Sequence, residues 1–158
     1  MIPIDLEVGT HQSLEALLGD LKNSVLISRS AGDIFGKIEL ANRRGVLKLE
    51  VWAVGELGLT KGHNTHQTVY QVGQEQGLDK CHQAEVGPQL LRQNLVPLGQ
   101  MWIIAMELIS DSDGDLCLFS VGHDSMGRWL GTSYGRWSAN FWKPSTRLVF
   151  VRSAKPAL

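Results

Sequence analysis

Four polar residues between positions 85 and 107 have the side chains needed to hold a polar ligand. Glu85 and Gln89 flank a Gly87-Pro88 pair, and Glu107 interrupts the most apolar strand-like run of the chain. A carboxylate on the inner face of a strand must be paired when it is buried, and Arg92 is the natural partner. A paired buried carboxylate is typical of a functional pocket, and the alternative is a structural ion pair that ties the turn to the sheet. The leading hypothesis is a small polar ligand pocket at these four residues.

The C-terminal third combines tryptophans with basic side chains. Its aromatic and basic residues are Arg128, Trp129, Tyr134, Arg136, Trp137, Phe141, Trp142 and Lys143. Arginine beside aromatic rings can stack on the bases of single-stranded nucleic acid, and exposed tryptophans can stack on sugars. Tryptophans at alternating strand positions more often fill a core or a dimer face. Trp129 and Trp137 are therefore candidate ligand-binding residues for a second hypothesis, which requires Trp129, Trp137 or Trp142 to be exposed on one face.

Cysteine and histidine offer a third kind of chemistry. Cys81 precedes His82, and such a pair can transfer acyl groups when a further group orients the imidazole. Sequence neighbours on a loop rarely have that geometry, and many cysteines are simply buried. Together with His63 and His66, the pair could also supply zinc ligands, but the spacing matches no zinc-finger pattern. We predict no metal site and no cofactor, and Cys81 is the only candidate catalytic residue of a hydrolase or transferase.

The segment Asp111-Ser112-Asp113-Gly114-Asp115 resembles the start of a calcium-binding loop. Its glycine comes at the fourth position rather than the sixth, and no glutamate follows at the twelfth. Aspartate and glycine are also what a tight turn requires. The segment is therefore predicted to be a turn.

The run Gly77-Leu78-Asp79-Lys80-Cys81-His82-Gln83-Ala84-Glu85-Val86-Gly87-Pro88-Gln89-Leu90 resembles a group of small bacterial proteins that share G-L-x-x-C-P-A-E-V-G-P-Q-L-R. The resemblance extends over about residues 46 to 152, and His82 replaces the proline of that pattern. It implies a free-standing bacterial cytoplasmic domain but no activity. It also directs attention to Cys81, Glu85, Gln89 and Glu107.

The elements that must position these residues follow from hydrophobic periodicity and turn signals. Leucines 14, 17, 18 and 21 predict a helix that begins near Thr10, and a second helix is predicted from Thr65 to about Gln76. Two extended runs, 37–41 and 46–54, predict an N-terminal hairpin, and 89–93 is predicted to be a short strand. Strand-like runs at 101–109, 116–121, 128–134 and 147–152 predict an antiparallel meander. The predicted fold is therefore α+β, with two helices on an antiparallel sheet made of this hairpin and this meander.

Composition limits the class of protein. With 158 residues, 43% hydrophobic residues and a net charge of −1, the chain is typical of a single folded domain spanning residues 1–158. The apolar run 101–106 is too short to cross a bilayer, and two cysteines with no basic leader predict a cytoplasmic setting. The near-zero net charge argues against nucleic acid as a general partner. Five tryptophans and an open meander edge predict a homodimer, and the whole pattern favours a ligand-binding or interaction domain over an enzyme.

Overall fold

The computed structural model describes residues 1–62, 64–134 and 142–153. Within these ranges lie four α-helices, nine strands and one 3-10 helix. The helices are α1 (Leu14–Lys22), α2 (Arg29–Phe35), α3 (His66–Glu75) and α4 (Val86–Arg92), and the 3-10 helix is Val54–Leu57. The strands are β1 (Ile2–Val8), β2 (Val25–Ile27), β3 (Gly45–Ala53), β4 (Leu78–Asp79), β5 (Met101–Ile104), β6 (Ile109–Ser110), β7 (Leu116–Asp124), β8 (Gly127–Tyr134) and β9 (Arg147–Arg152).

The described strands form one strongly curled sheet with mixed strand directions. Its order is β1-β3-β9-β5-β7-β8-β2, with β4 added beside β9 and β6 beside β7. The pairs β5–β9 and β2–β8 are parallel, and the others are antiparallel. The predicted arrangement of two helices on a simple hairpin and meander is therefore wrong, although the combination of helices and strands is as expected.

The predicted N-terminal hairpin is replaced by pairing between β1 and β3. Residues 37–44 form no strand, and β3 instead pairs with β1 from Ile2↔Val51 to Val8↔Gly45. Ile2, Ile4, Leu6 and Val8 alternate with other residues, which is the period of a strand with one buried face. All seven residues of β1 pair with β3, which is more than the five-residue run at 37–41 could do.

The helices begin at side-chain caps that local sequence specifies. Ser13, Ser28 and Thr65 each accept a hydrogen bond from the backbone N–H three residues further along. The cap of α3 is the predicted one, but α1 begins after Ser13 rather than near Thr10. A helix, α4, replaces the predicted strand at 89–93. Pro88 is compatible with it because the residue lies in the first turn, where no intrahelical N–H bond is lost.

The C-terminal strands do not form a simple meander, because β9 returns to the middle of the sheet. It lies between β3 and β5, pairing antiparallel with the first and parallel with the second. The predicted strand 101–109 also ends early: β5 stops at Ile104 and β6 resumes only at Ile109. Glu107 therefore lies on an irregular segment, where the alternation of strand faces no longer applies.

One hydrophobic core lies between the sheet and the helices. Its largest fully buried side chains include Trp102, Phe119 and Phe150, from β5, β7 and β9. Helix α4 is buried from Val86 to Leu91 and packs on β1, β7, β8 and α1. Because α4 is enclosed, the polar side chains at its N-terminal end, Glu85 and Gln89, are enclosed with it.

Candidate functional site

Glu85 is fully buried at the start of α4 and is held by neutral N–H donors. Its Oε1 accepts a hydrogen bond from Ala41 N at 2.6 Å. Its Oε2 accepts from Gly9 N at 3.4 Å and from Gln89 Nε2 at 3.1 Å. Convergent N–H donors replace the water that a carboxylate loses on burial. The Glu85 carboxylate thus joins three segments that are distant in sequence: the end of β1, the loop before β3, and α4.

Gln89 continues this network toward the surface. Its Nε2 also donates to Thr10 Oγ1 at 2.9 Å, and Thr10 Oγ1 lies 2.8 Å from His11 Nδ1. His11 Nε2 in turn lies 2.5 Å from Asp20 Oδ2. Each group is satisfied when Thr10 donates to His11 Nδ1 and the Nε2–H of the imidazole donates to Asp20. Sequence reasoning missed Thr10 and His11, whose place depends on a contact across 79 residues.

Arg92 belongs to the same network. Within the part of the chain that the structure describes, it forms no ion pair with Glu85 or Glu107. Its Nε donates to Gln89 Oε1 at 2.7 Å. Next to it, Gln93 also donates to Gln89 Oε1, at 3.1 Å, and bonds the backbone of Glu7 in both directions. Glu85, Gln89 and Arg92 thus lie together. Glu85 bonds Gly9 and Ala41, which lie in the two walls of a groove of about 680 Å³, but none of the three residues lines that groove.

Glu107 lies elsewhere, as the exposed residue of the segment between β5 and β6. Its Oε1 is 2.6 Å from Lys80 Nζ, and both side chains line a cavity of about 550 Å³ beside α3. The four residues predicted to share one polar pocket are therefore divided, three around Glu85 and Glu107 apart. The cause is the early end of β5, which removes Glu107 from the buried face of the sheet.

Cys81 is buried beneath β9, and its thiol contacts the carbonyl oxygen of Val149 at 3.6 Å. Burial raises the pKa of this thiol to about 12, so it is protonated at neutral pH. A protonated thiol is a poor nucleophile. Its sequence neighbour His82 is exposed. The surroundings of Cys81 are those of a structural cysteine.

Trp129 lies on the open face of the sheet in a row that crosses four strands. The cross-strand partners are Leu26↔Trp129, Gly122↔Trp129 and Met101↔Gly122. A Cβ atom on Gly122 would collide with the indole, and one on Gly131 would lie 3.2 Å from it. The indole therefore rests flat on two glycine positions. At the ends of the row, Leu26 is 59% exposed and Met101 is 48% exposed.

This surface, the Trp129 groove, has a volume of about 660 Å³. In the described part of the chain its lining contains no charged side chain. It consists of Leu26, Ile27, Ser28, Ser30, Met101, Ile103, Ser120, Trp129, Leu130, Gly131, Thr132 and Ser133. The guanidinium of Arg128 is engaged elsewhere, by the carbonyl oxygen of Leu91. The groove therefore offers one aromatic platform, apolar ends and several hydroxyl groups.

Trp142 is buried and packs edge-on against His66, and Trp137 lies outside the described residues.

The predicted absence of a metal site concerns His63, which lies outside the described residues, and the segment from Asp111 to Asp115. No group of three or more metal-ligating side chains occurs within the described ranges. Asp111 Oδ1 accepts bonds from the backbone N–H groups of residues 113 and 115, at 2.9 Å each, as in a tight turn.

Comparison with known proteins adds no relative: no family model, no curated protein and no solved structure matches the chain. The resemblance of run 77–90 to a bacterial group therefore stays a prediction. The helices of the described residues have at most ten residues each, which is well short of a membrane span.

Proposed function

We propose that this chain is a non-enzymatic binding module whose ligand is a neutral, ring-containing molecule of the carbohydrate class, held on the Trp129 groove. The observation that supports it is the indole of Trp129, which lies flat on glycines with its other side toward an uncharged groove. A flat aromatic surface stacks on the apolar face of a sugar ring, and the surrounding hydroxyl groups can hydrogen-bond to sugar hydroxyls.

Charge favours a sugar over single-stranded nucleic acid at this groove. Nucleic-acid grooves combine stacking aromatics with cations that follow the phosphates. Of the residues described, none that lines the groove is charged, and Arg128 is engaged by Leu91. A neutral ligand avoids the desolvation of phosphate in a surface without counter-charges.

The proposal also keeps the chain a cytoplasmic homodimer. Both cysteines are free and buried, which supports a reducing compartment. Strand β2 ends the sheet with only three residues. A second copy paired along the backbone of this edge would extend the sheet.

The test is titration of the full chain with neutral oligosaccharides and, separately, with a short thymidine oligonucleotide, monitored by calorimetry. At least one oligosaccharide is expected to bind, and Trp129→Ala is expected to weaken it about tenfold or more, as loss of a stacking surface does. Because Trp129→Ala could disturb the sheet, Met101→Lys provides a second variant at an exposed position. It is expected to weaken sugar binding, whereas Met126→Lys, on a side chain that is 81% exposed away from the groove, leaves it unchanged.

Three outcomes would contradict the proposal. Oligonucleotide binding that weakens with salt and strengthens in Met101→Lys would make the groove a nucleic-acid site. A dimer that dissociates in Trp129→Ala, measured by light scattering, would make it a self-association face. Equal sugar affinity in the wild type and both groove variants would place the ligand elsewhere.

A further inference from the structure

A second cavity, the His66–Glu107 cavity, lies between α3 and the segment that follows β5. Its volume is about 550 Å³, and it shares no lining residue with the Trp129 groove. Its lining residues are His66, Gln67, Tyr70, Gln71, Gln74, Lys80, Met106, Glu107 and Leu108. Polar side chains therefore come from the helix, one charge of each sign comes from Lys80 and Glu107, and the rest is apolar.

The two charges lie side by side and are unequally exposed. Lys80 Nζ is 2.6 Å from Glu107 Oε1, and the Lys80 side chain is 26% exposed against 70% for Glu107. Lys80 Nζ also lies 5.7 Å from the centre of the Tyr70 ring, close enough for a cation–π contact. An ammonium group has three N–H donors, and the bond to Glu107 uses one. Lys80 can therefore also bind an anionic group, and Glu107 can also bind a cationic one.

His66, which lines this cavity, carries a buried polar atom that lacks a partner. His66 Nδ1 is one of two buried side-chain atoms in the described part of the chain without a hydrogen bond, the other being Asn64 Nδ2. Such atoms are rare in folded proteins and commonly mark a missing water or ligand. Burial, together with the charge of Lys80, lowers the pKa of His66, so the ring is neutral near pH 7 and adds no positive charge.

Tyr70 forms a fixed wall rather than a ligand contact. Its hydroxyl donates to Met106 O at 3.4 Å and accepts from Met106 N at 3.2 Å. Burial raises the pKa of Tyr70 well above its ordinary value, so the phenol stays neutral. His66 packs edge-on against this ring at 5.7 Å between centroids. The cavity thus has a preformed aromatic side next to its charged pair.

We propose that the His66–Glu107 cavity binds a small zwitterion of the free α-amino-acid class, with its carboxylate on Lys80 and its ammonium on Glu107, beside the imidazole of His66. Neighbouring charges of opposite sign select such a ligand, because a lone anion is repelled by Glu107 and a lone cation by Lys80. A zwitterion is attracted by both. This inference does not depend on the Trp129 groove.

The experiment is a nuclear magnetic resonance titration of the ¹⁵N-labelled full chain with glycine, acetate and methylammonium, each added separately. Glycine is expected to shift the backbone amides of Lys80 and Glu107 and the ring nitrogen signals of His66. Acetate and methylammonium carry one charge each and are expected to leave these signals in place at the same concentration.

Variants decide whether the charged pair is responsible. Lys80→Met and Glu107→Gln are each expected to weaken glycine binding about tenfold or more, the usual effect of losing a charge-assisted hydrogen bond. The matched controls are Lys48→Met and Asp5→Asn. They remove an exposed ion pair between β3 and β1, in which Lys48 Nζ lies 2.9 Å from Asp5 Oδ1. Both controls are expected to leave glycine affinity unchanged. The dispersion of the remaining amide signals verifies that each variant is folded.

Three results would overturn the inference. Acetate that shifts the same signals with the affinity of glycine would reduce the cavity to a simple anion site. Glycine shifts that persist unchanged in Lys80→Met would place the binding elsewhere. The absence of shifts with all three probes up to about 50 mM would leave no binding in any useful range.

Discussion

Glu85 illustrates how a buried carboxylate can be stabilised without a cation. Its two oxygens accept bonds from two backbone N–H groups and one amide side chain, and among the described residues no lysine or arginine forms a hydrogen bond or ion pair with it. Gly9 is essential to this geometry, because its φ is +71° and a Cβ there would collide with the backbone of Arg43. Within the network, Glu85 thus has a structural role, as the joint between β1, the loop before β3 and α4.

Replacing Glu85 by Gln tests that role. The amide nitrogen of glutamine would face N–H donors and could not accept from them, so at least one buried donor loses its partner. We expect Glu85→Gln to lower the free energy of unfolding by about 2–3 kcal/mol, measured by urea denaturation. Glu107→Gln is the matched control at an exposed site, with an expected change within about 0.5 kcal/mol. Equal small losses in both variants would show that the Glu85 network does not stabilise the fold.

At the scale of elements, the pairing of β7 with β8 places the indole of Trp129 over Gly122 and Gly131. Gly122 on one strand and Gly131 on the other lack the side chains that would lift the indole from the sheet. The sequence contains both glycines, but the row from Leu26 to Met101 exists only because β2 and β5 pair on either side. Glycine usually weakens a strand, and here it leaves room for a large side chain from a neighbouring strand.

Gly122→Ala is expected to displace the indole of Trp129. The new methyl group would collide with the ring, and such overpacking costs about 1–3 kcal/mol of unfolding free energy. The displacement is measured from the indole N–H signal of Trp129, assigned with the Trp129→Ala variant. Gly45→Ala is the control, since this strand glycine has open space at its Cβ position. Similar stability and an unmoved Trp129 signal in both variants would contradict the packing of the indole on Gly122.

At the scale of the whole molecule, the curled sheet brings the acidic N-terminal part of the chain, residues 1–115, against its basic C-terminal part, which begins at residue 116. The sequence is acidic before residue 116 and basic after it. Arg152 of β9 bonds both carboxylate oxygens of Glu50 on β3, at 2.6 and 2.7 Å. This contact lowers the pKa of Glu50 and raises that of Arg152. Part of the charge asymmetry is thus satisfied inside one chain, without an acidic partner.

The stability of the whole molecule should fall in mild acid because of His66. Burial, with the charge of Lys80, lowers the pKa of His66 below its ordinary 6.5, so the unfolded chain takes up its proton first. Stability from this group is complete above about pH 6.5 and is lost as pH falls through the lower pKa of the folded state. Tyr70, Lys80 and Glu107 also line this cavity.

The measurement is the melting temperature of wild type and His66→Gln at several pH values between about 5 and 7.5. The wild type is expected to lose melting temperature toward pH 5, and His66→Gln is expected to lose less. His82→Gln, at an exposed histidine, should follow the wild type. Parallel curves for wild type and His66→Gln would contradict the assignment.

Local features of this protein follow from its sequence alone. The start of α3 at Thr65 and the strand Arg147–Arg152 are both where the pattern predicts them. Each depends on residues within a few positions, because caps, turns and strand alternation are short-range effects. For the same reason, the combination of helices and strands could be predicted.

The tertiary structure alone decided which strands are neighbours and which polar residues meet. Strand β9 enters between β3 and β5, β1 replaces the predicted hairpin partner, and β5 ends before Glu107. These outcomes depend on long-range pairing and on burial of the whole core, which no window of sequence contains. Thus Glu85 and Glu107, 22 positions apart and predicted to share one pocket, belong to two separate networks, with donors from Gly9 and Ala41 around one and Lys80 beside the other.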